Sequence, residues 1–294
     1  MSTIVLLLIT GIGLGAVYFL VASGLSLIYG LMGVLNFAHG AFLTLGALLG
    51  WQAASMIGAN SWSGFLLSLV IGCLVGALIA ALTEFVLVRP LYERHIEQVL
   101  VTVGLNLAAI ALFEGIWGTE PAFIDGPGWM TGTTSILGAA IPNHIFITIL
   151  VAVLVLASMV LFLKKTRYGM IIRAGVENRS MVTALGIDVR RAFTLVFTIG
   201  GAAAGMGGVL ASHYFGYVSP MLGGTLLIFA FIVTILGGLG SLAGAAVAAL
   251  LVGVLQQFAN YYWGVGDFVV VILLAVVLLT KPSGLLGRKV TTAA

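Results

Sequence analysis

The sequence predicts an all-α polytopic membrane protein of eight or nine transmembrane helices, with a broken or re-entrant N-terminal segment and a short cytoplasmic helix. Three observations predict it. The 294 residues are 61% hydrophobic and only 7% charged, with a mean hydropathy of +1.23, whereas a soluble domain is about 25% charged. Apolar runs repeatedly approach the roughly 20 residues that a helix needs to cross a bilayer. All 12 Lys and Arg residues fall in three stretches, at 89–94, 164–191 and 281–289. Loops rich in Lys and Arg stay on the cytoplasmic side, so these stretches orient the chain.

The elements follow in order. Ile4–Tyr29 is long enough to span with tilt. Met1-Ser2-Thr3 carries no basic residue and the run exceeds a signal-peptide core, so it reads as a retained helix. Gly30 to Gly40 is broken by glycine and holds Asn36 and His39. Ala41–Ile57 and Phe65–Val88 are the next apolar runs, the latter stopped at Arg89-Pro90 because proline lacks a donor and restricts its predecessor. Val99–Trp117 spans again. Gly118–Asn143 holds three of the six prolines, two acids (Glu120 and Asp125) and no base, which places it outside. Ile145–Leu163 leads to the basic 164–191 loop. Phe193–Ser212, Leu226–Leu239, Ala243–Phe258 and Phe268–Thr280 complete the set.

Parity tests this arrangement. Two runs separate the first two basic stretches and four separate the second from the third, so all three can share one side. If Ala41–Ile57 crosses there are nine spans and an outside N-terminus. If Gly30–Ile57 is re-entrant there are eight and an inside one. Broken backbone at membrane depth is tolerated only where protein or a water-filled cavity covers it, so 30–40 lies near a pathway either way. Glycine, 40 residues in all, recurs at four-residue spacing in Gly11–Gly15, Gly201–Gly205 and Gly240–Gly244. That spacing reads as close helix packing.

The chemistry present is sparse. No Gly-Lys-Ser/Thr loop exists to bind ATP phosphates. Cys73 is single, and the four histidines are scattered without paired acids at metal-ligand spacing, so neither an enzyme nor a metal site is expected. A net charge of +3, with its bases in inter-helix loops, argues against nucleic acid despite a pI near 9.1. Polar groups inside a membrane are costly and mark candidate functional positions. Asn36 and His39 share a helix face, as do Asn106 and Glu114. An equally weighted reading makes Asn36 and His39 caps that brace the break, and Asn106 with Glu114 an interhelical hydrogen bond. Glu84, just before Arg89, reads as an ion pair or a carboxylate snorkelling to the inner surface. Ile171–Ile187 reads as one amphipathic helix, with Ile172, Val176 and Leu185 apolar, Arg173, Glu177 and Arg179 polar, and Gly186 as its stop.

Several motifs, in order, resemble the branched-chain amino-acid permeases of bacterial ABC importers. Asn36-Phe-Ala-His-Gly40 looks like that family's N-terminal signature, and Glu84 with Arg89-Pro-Leu91 like its first inner loop. Arg173-Ala174, Glu177-Asn178 and Leu185-Gly186-Ile187 resemble its cytoplasmic coupling segment, although Met181-Val-Thr183 stands where small residues are usual. Leu236 to Ser241 and Pro282 to Arg288 complete the likeness. The resemblance implies one permease domain over 1–294, with 164–191 as the coupling loop. It implies a homologous second permease, two cytoplasmic ATP-binding subunits and an external solute-binding protein as partners. No cofactor would be bound by this chain, ATP being used by its partners in the bacterial inner membrane. Relatives of the family also carry urea, short amides and aromatic acids. A self-contained, ion-coupled transporter is the alternative from another class, but it would need more coupling-ion ligands within the spans.

Overall fold

The computed structural model describes residues 2–33, 35–177, 179–184, 186 and 189–287; within these ranges, side chains at 176, 177, 179, 180, 183 and 189 are left undescribed. The chain is helical almost throughout. α1 (Ser2–Met32), α2 (His39–Ile57) and α3 (Trp62–Thr83) come first. α3 runs into a π-helical turn (Glu84–Val88) and a 3₁₀ turn (Arg89–Leu91), where Pro90 ends it. α4 (His95–Trp117) leads to an outer loop with strand β1 (Ala122–Phe123), one helical turn α5 (Gly128–Thr131) and a hairpin of β2 (Thr133–Ile136) and β3 (Ala139–Pro142). Leu137 and Gly138 turn this hairpin with φ of 50° and 79°, the pair of positive values a tight two-residue turn requires. α6 (His144–Lys165) is followed by two short helices, α7 (Arg167–Glu177) and α8 (Arg179–Ala184). α9 (Val189–Phe215), strand β4 (Tyr217–Val218), α10 (Leu222–Gly237), α11 (Leu242–Trp263) and α12 (Gly266–Thr280) complete the chain.

Seven of these helices are long and apolar enough to cross a membrane, and α10 and α12 are shorter apolar helices of 16 and 15 residues. At 1.5 Å per residue those two reach only about 24 Å and 22 Å. α1 is the axis of the bundle. Every residue from Gly13 to Ile28 is buried, as a helix apolar all round must be. α4, α6 and α12 lie at the edge and turn leucines such as Leu100, Leu107, Leu154 and Leu279 outward.

Glycine sets the inter-helix distances. Gly11 and Gly15 of α1 meet Gly253 of α11 backbone to backbone, and Gly201 and Gly205 of α9 do the same with Gly72 and Gly76 of α3. Gly240 rests on Gly30, and Gly244 on Gly237. The four-residue spacings are therefore packing seams, as expected.

The packing also bears on how the helices run between the two faces. Ala139, Ile141 and Ile145 form a cluster with Val5, Leu6 and Ile9, and the Tyr214 hydroxyl donates to the Thr10 carbonyl at 3.0 Å. The start of α1 therefore lies on the same face as the 118–143 loop. β1 pairs antiparallel with β4, which puts the α9–α10 connection there too. At the other face, Leu285 and Leu286 donate backbone hydrogen bonds to Leu236 and Gly237, beside the Gly30–Gly240 contact. With acids and no bases in 118–143, the charge rule assigns that face to the outside. Because α2 connects the two faces, the arrangement fits the nine-run alternative, with seven helices of full crossing length and α10 and α12 shorter. Single cysteines at Thr131 and Ala174, both exposed, test the orientation in a Cys73→Ala background. An impermeant thiol reagent added to intact cells should label position 131 and spare 174; the reverse would invert the topology.

Candidate functional site

α1 ends at Gly33, whose φ of 69° lies in the left-handed region, and its amide closes the helix on Tyr29 O at 2.8 Å. The chain then climbs back into the bundle. Gly30 lies at the inner turn against Gly240, but the His39 ring reaches Val21 O at 2.9 Å. From Gly30 to Val21 is about 13 Å of helix, so α2 begins at depth.

That start is sealed in protein. Asn36 is 2% exposed, and Ala38 and His39 are fully buried. α3 and α11 open on serine caps, with Ser61 and Ser241 each accepting from the amide three residues on at 3.0 Å. α2 opens on Ala38 with no side-chain cap. Its local support is an Asx turn, Ala38 N donating to Asn36 Oδ1 at 3.1 Å. Phe37 N donates across to Thr102 Oγ1 of α4 at 3.3 Å. Thr44 Oγ1 accepts from Gly223 N at 2.9 Å and donates to Gly40 O at 3.1 Å, which joins the starts of α2 and α10.

Polar capacity at this start is left unused. Among the described residues five buried side-chain atoms lack a hydrogen-bond partner: Ser26 Oγ, Asn36 Nδ2, His39 Nδ1, Gln98 Oε1 and Asn106 Oδ1. Two lie on the break, and a third faces it. A methyl group added to Gly40 would lie 3.1 Å from Asn106 Oδ1 and 2.9 Å from Gly223 O. Because His39 Nε2 donates to a carbonyl, Nδ1 of the neutral ring is a bare acceptor. The break thus offers a donor on Asn36 and acceptors on His39 and Asn106. Beside it an apolar groove of about 360 Å³ runs between α2, α3 and α4, lined by Ala41, Phe42, Leu45, Leu105, Ala109 and others.

The structure therefore places Asn36 and His39 on the break and Asn106 against Gly40 at the start of α2. It does not bring Glu114 to them. That residue is half-buried farther out on α4, about 12 Å along the helix from Asn106, where its carbonyl accepts from Gly118 N at 2.9 Å. Thr44 and Thr102 were not legible as participants. Hydroxyl residues in apolar helices usually bond their own preceding turn, so their types alone carry no signal.

The cytoplasmic segment starts earlier than the Ile171–Ile187 helix expected: it is helical from Arg167, because Thr166 terminates α6 and caps α7, its hydroxyl donating to Phe162 O at 2.7 Å and accepting from Gly169 N at 3.0 Å. Ile172 and Val182 are buried and hold the segment down, while Arg173, Met170 and Met181 point outward. Glu177 is the last residue of α7. Gly186 has a φ of 76°, the left-handed conformation that suits a helix stop. Asn178, Leu185, Ile187 and Arg288 lie outside the described residues.

A bundle of apolar helices folded around a polar break defines a polytopic membrane protein of the transport class. The chain belongs to the branched-chain amino acid transport system / permease component family, whose family model matches residues 7–280. It is similar to the high-affinity branched-chain amino acid transport system permease protein LivH of Salmonella typhimurium, 31% identical over 95% of this chain and 94% of that one. BraD of Pseudomonas aeruginosa, a permease protein of the same description, is 31% identical over 96% of this chain and 95% of its own. A probable LivH of Methanocaldococcus jannaschii is 27% identical over 91% and 88%.

Proposed function

We propose that this chain is the transmembrane permease subunit of a binding-protein-dependent ABC importer that moves branched-chain amino acids across the bacterial inner membrane. One observation carries the reading: a buried, uncapped helix start with unused donor and acceptor groups, in a chain that belongs to this permease family. The relatives' printed names support the substrate class. A zwitterion needs acceptors for its ammonium and donors for its carboxylate, and the groove beside the break suits an aliphatic side chain. Asn36, His39 and Asn106 border the route in this reading, and Glu114 stands farther along it.

Work enters from partners. The chain has no loop of the kind that cradles ATP phosphates, so two separate ATP-binding subunits would hydrolyse ATP against Arg173, Glu177, Asn178, Leu185, Gly186 and Ile187. A homologous permease would complete the bundle, and an external solute-binding protein would deliver the amino acid. The whole chain, 1–294, forms one permease domain with 164–191 as its coupling loop. No cofactor is bound by this chain.

The complex purified from cells that express all four kinds of subunit should, in liposomes, take up leucine only with ATP on the ATP-binding side and the binding protein opposite. Uptake driven by an ion gradient without ATP would make the chain a secondary transporter. Uptake of urea, short amides or aromatic acids in place of leucine would move it to another branch of the family.

A further inference from the structure

Glu84 is the one carboxylate among the described residues that is fully buried. It is neither ion-paired nor snorkelling. Arg89 lies over the Phe85 ring, 5.3 Å from its centre, and the one ion pair among the described residues is the exposed Arg94–Glu97. Glu84 is held by two hydroxyls instead. Tyr92 Oη donates to Oε1, and Thr194 Oγ1 donates to Oε2 at 2.7 Å. It also opens the π-helical turn of α3, an irregularity that occurs often at functional positions.

The two hydroxyls come from different elements. Thr194 sits in the second turn of α9, directly after the cytoplasmic segment. Tyr92 belongs to the inner loop before α4, and its ring stands edge-on to Phe193, centroids 4.9 Å apart. From that loop the connection continues: Gln98 Nε2 donates to Leu91 O, and one turn farther along α4 Thr102 holds Phe37 of the break. A continuous series of hydrogen bonds and backbone thus runs from the exit of the cytoplasmic segment, through Glu84, to the candidate site. Higher up, α3 and α9 are locked by Gly72, Gly76, Gly201 and Gly205. Their inner ends are joined through the carboxylate.

We propose that Glu84 is the positioning residue that couples the cytoplasmic segment to the break: it ties the start of α9 to the inner loop, so displacement of the 167–191 segment moves α4 and the groups around Asn36. This rests on the importer reading above.

The test uses the complete complex in liposomes, with uptake per ATP hydrolysed as the readout. Glu84→Gln keeps the shape but removes one acceptor, and Thr194→Val removes one donor. Each variant should assemble at wild-type level, retain ATP hydrolysis, and lose at least about fivefold in uptake per ATP, the lower end of typical coupling between sites. The double variant should be no worse than Glu84→Gln alone, because both remove one interaction. Tyr92→Phe probes the other oxygen if Glu84→Gln fails to assemble. Wild-type uptake per ATP in the assembled variants would overturn the proposal. So would loss of assembly in all three with unchanged uptake per surviving complex, which marks a structural brace. A wild-type complex that neither hydrolyses ATP nor imports would instead overturn the importer reading.

Discussion

Replacing Asn106 with Leu should slow uptake by the assembled transporter at least about tenfold while leaving the chain as stable as before, or more stable. The sign of the stability effect follows from hydrogen-bond accounting. Asn106 Oδ1 is buried without a partner among the described residues. An unsatisfied buried polar group costs about 1–3 kcal/mol, and replacing it with an apolar group of similar shape removes that cost. The neighbours are suitable, since Leu105 and Ala109 already line the apolar groove. If Asn106 meets the amino acid in transit, the loss falls on transport: a charge-assisted hydrogen bond is worth about 1.5–3 kcal/mol, or tenfold and upward in rate. Melting of the purified complex and initial uptake rate, measured side by side, check it. A drop in melting temperature matched by a drop in assembled complex, with uptake per complex unchanged, would show that Asn106 braces the break. Asn36→Ala separates the roles less cleanly, because Asn36 Oδ1 also holds the amide of Ala38.

The second large effect is on folding. Gly205→Val should abolish recovery of monodisperse protein from detergent, a loss of at least about 3 kcal/mol, at the upper end of overpacking costs. A side chain at Gly205 would collide with the carbonyl of Gly72 and lie 3.1 Å from Gly76 Cα. On the neighbouring flank, a methyl group at Gly46 would itself lie 2.6 Å from Gly205 Cα. Three backbones meet there, and backbone cannot rotate aside as a side chain can. Gly104→Val is the control. Nothing lies within 4 Å of a Cβ at Gly104, so that variant should behave as wild type in size-exclusion profile and melting. Equal loss from both substitutions would mean that glycine serves helix flexibility rather than close approach.

Much of this was legible beforehand because membrane insertion writes itself into composition. A helix in lipid must satisfy its backbone internally and keep charge out of the core, so run length located the apolar helices and the placement of Lys and Arg set their expected orientation. The break at 30–40 was legible for the same reason: two left-handed-tolerant glycines beside Asn36 and His39 do not belong in an uninterrupted span. Glu84 was misread. The nearest cation in sequence, Arg89, is the natural partner on a regular helix, but the π turn re-aims the carboxylate toward Tyr92 and Thr194.

What the sequence by itself determined, then, is what a single helix settles with its solvent: the apolar helices, the glycine seams and the polar break. What only the tertiary structure decided is which groups meet across helices. It packed Val5, Leu6 and Ile9 under the β2–β3 hairpin and set Leu285 and Leu286 at the opposite face, an arrangement that fits the nine-run alternative. It set Asn106 against Gly40 at the start of α2, and it began the cytoplasmic helix at Arg167 behind the Thr166 cap. The reason is physical. Lipid exerts almost no preference among apolar faces, so helix partners are chosen by close backbone approach and by scarce polar contacts, and both depend on residues far apart in the chain.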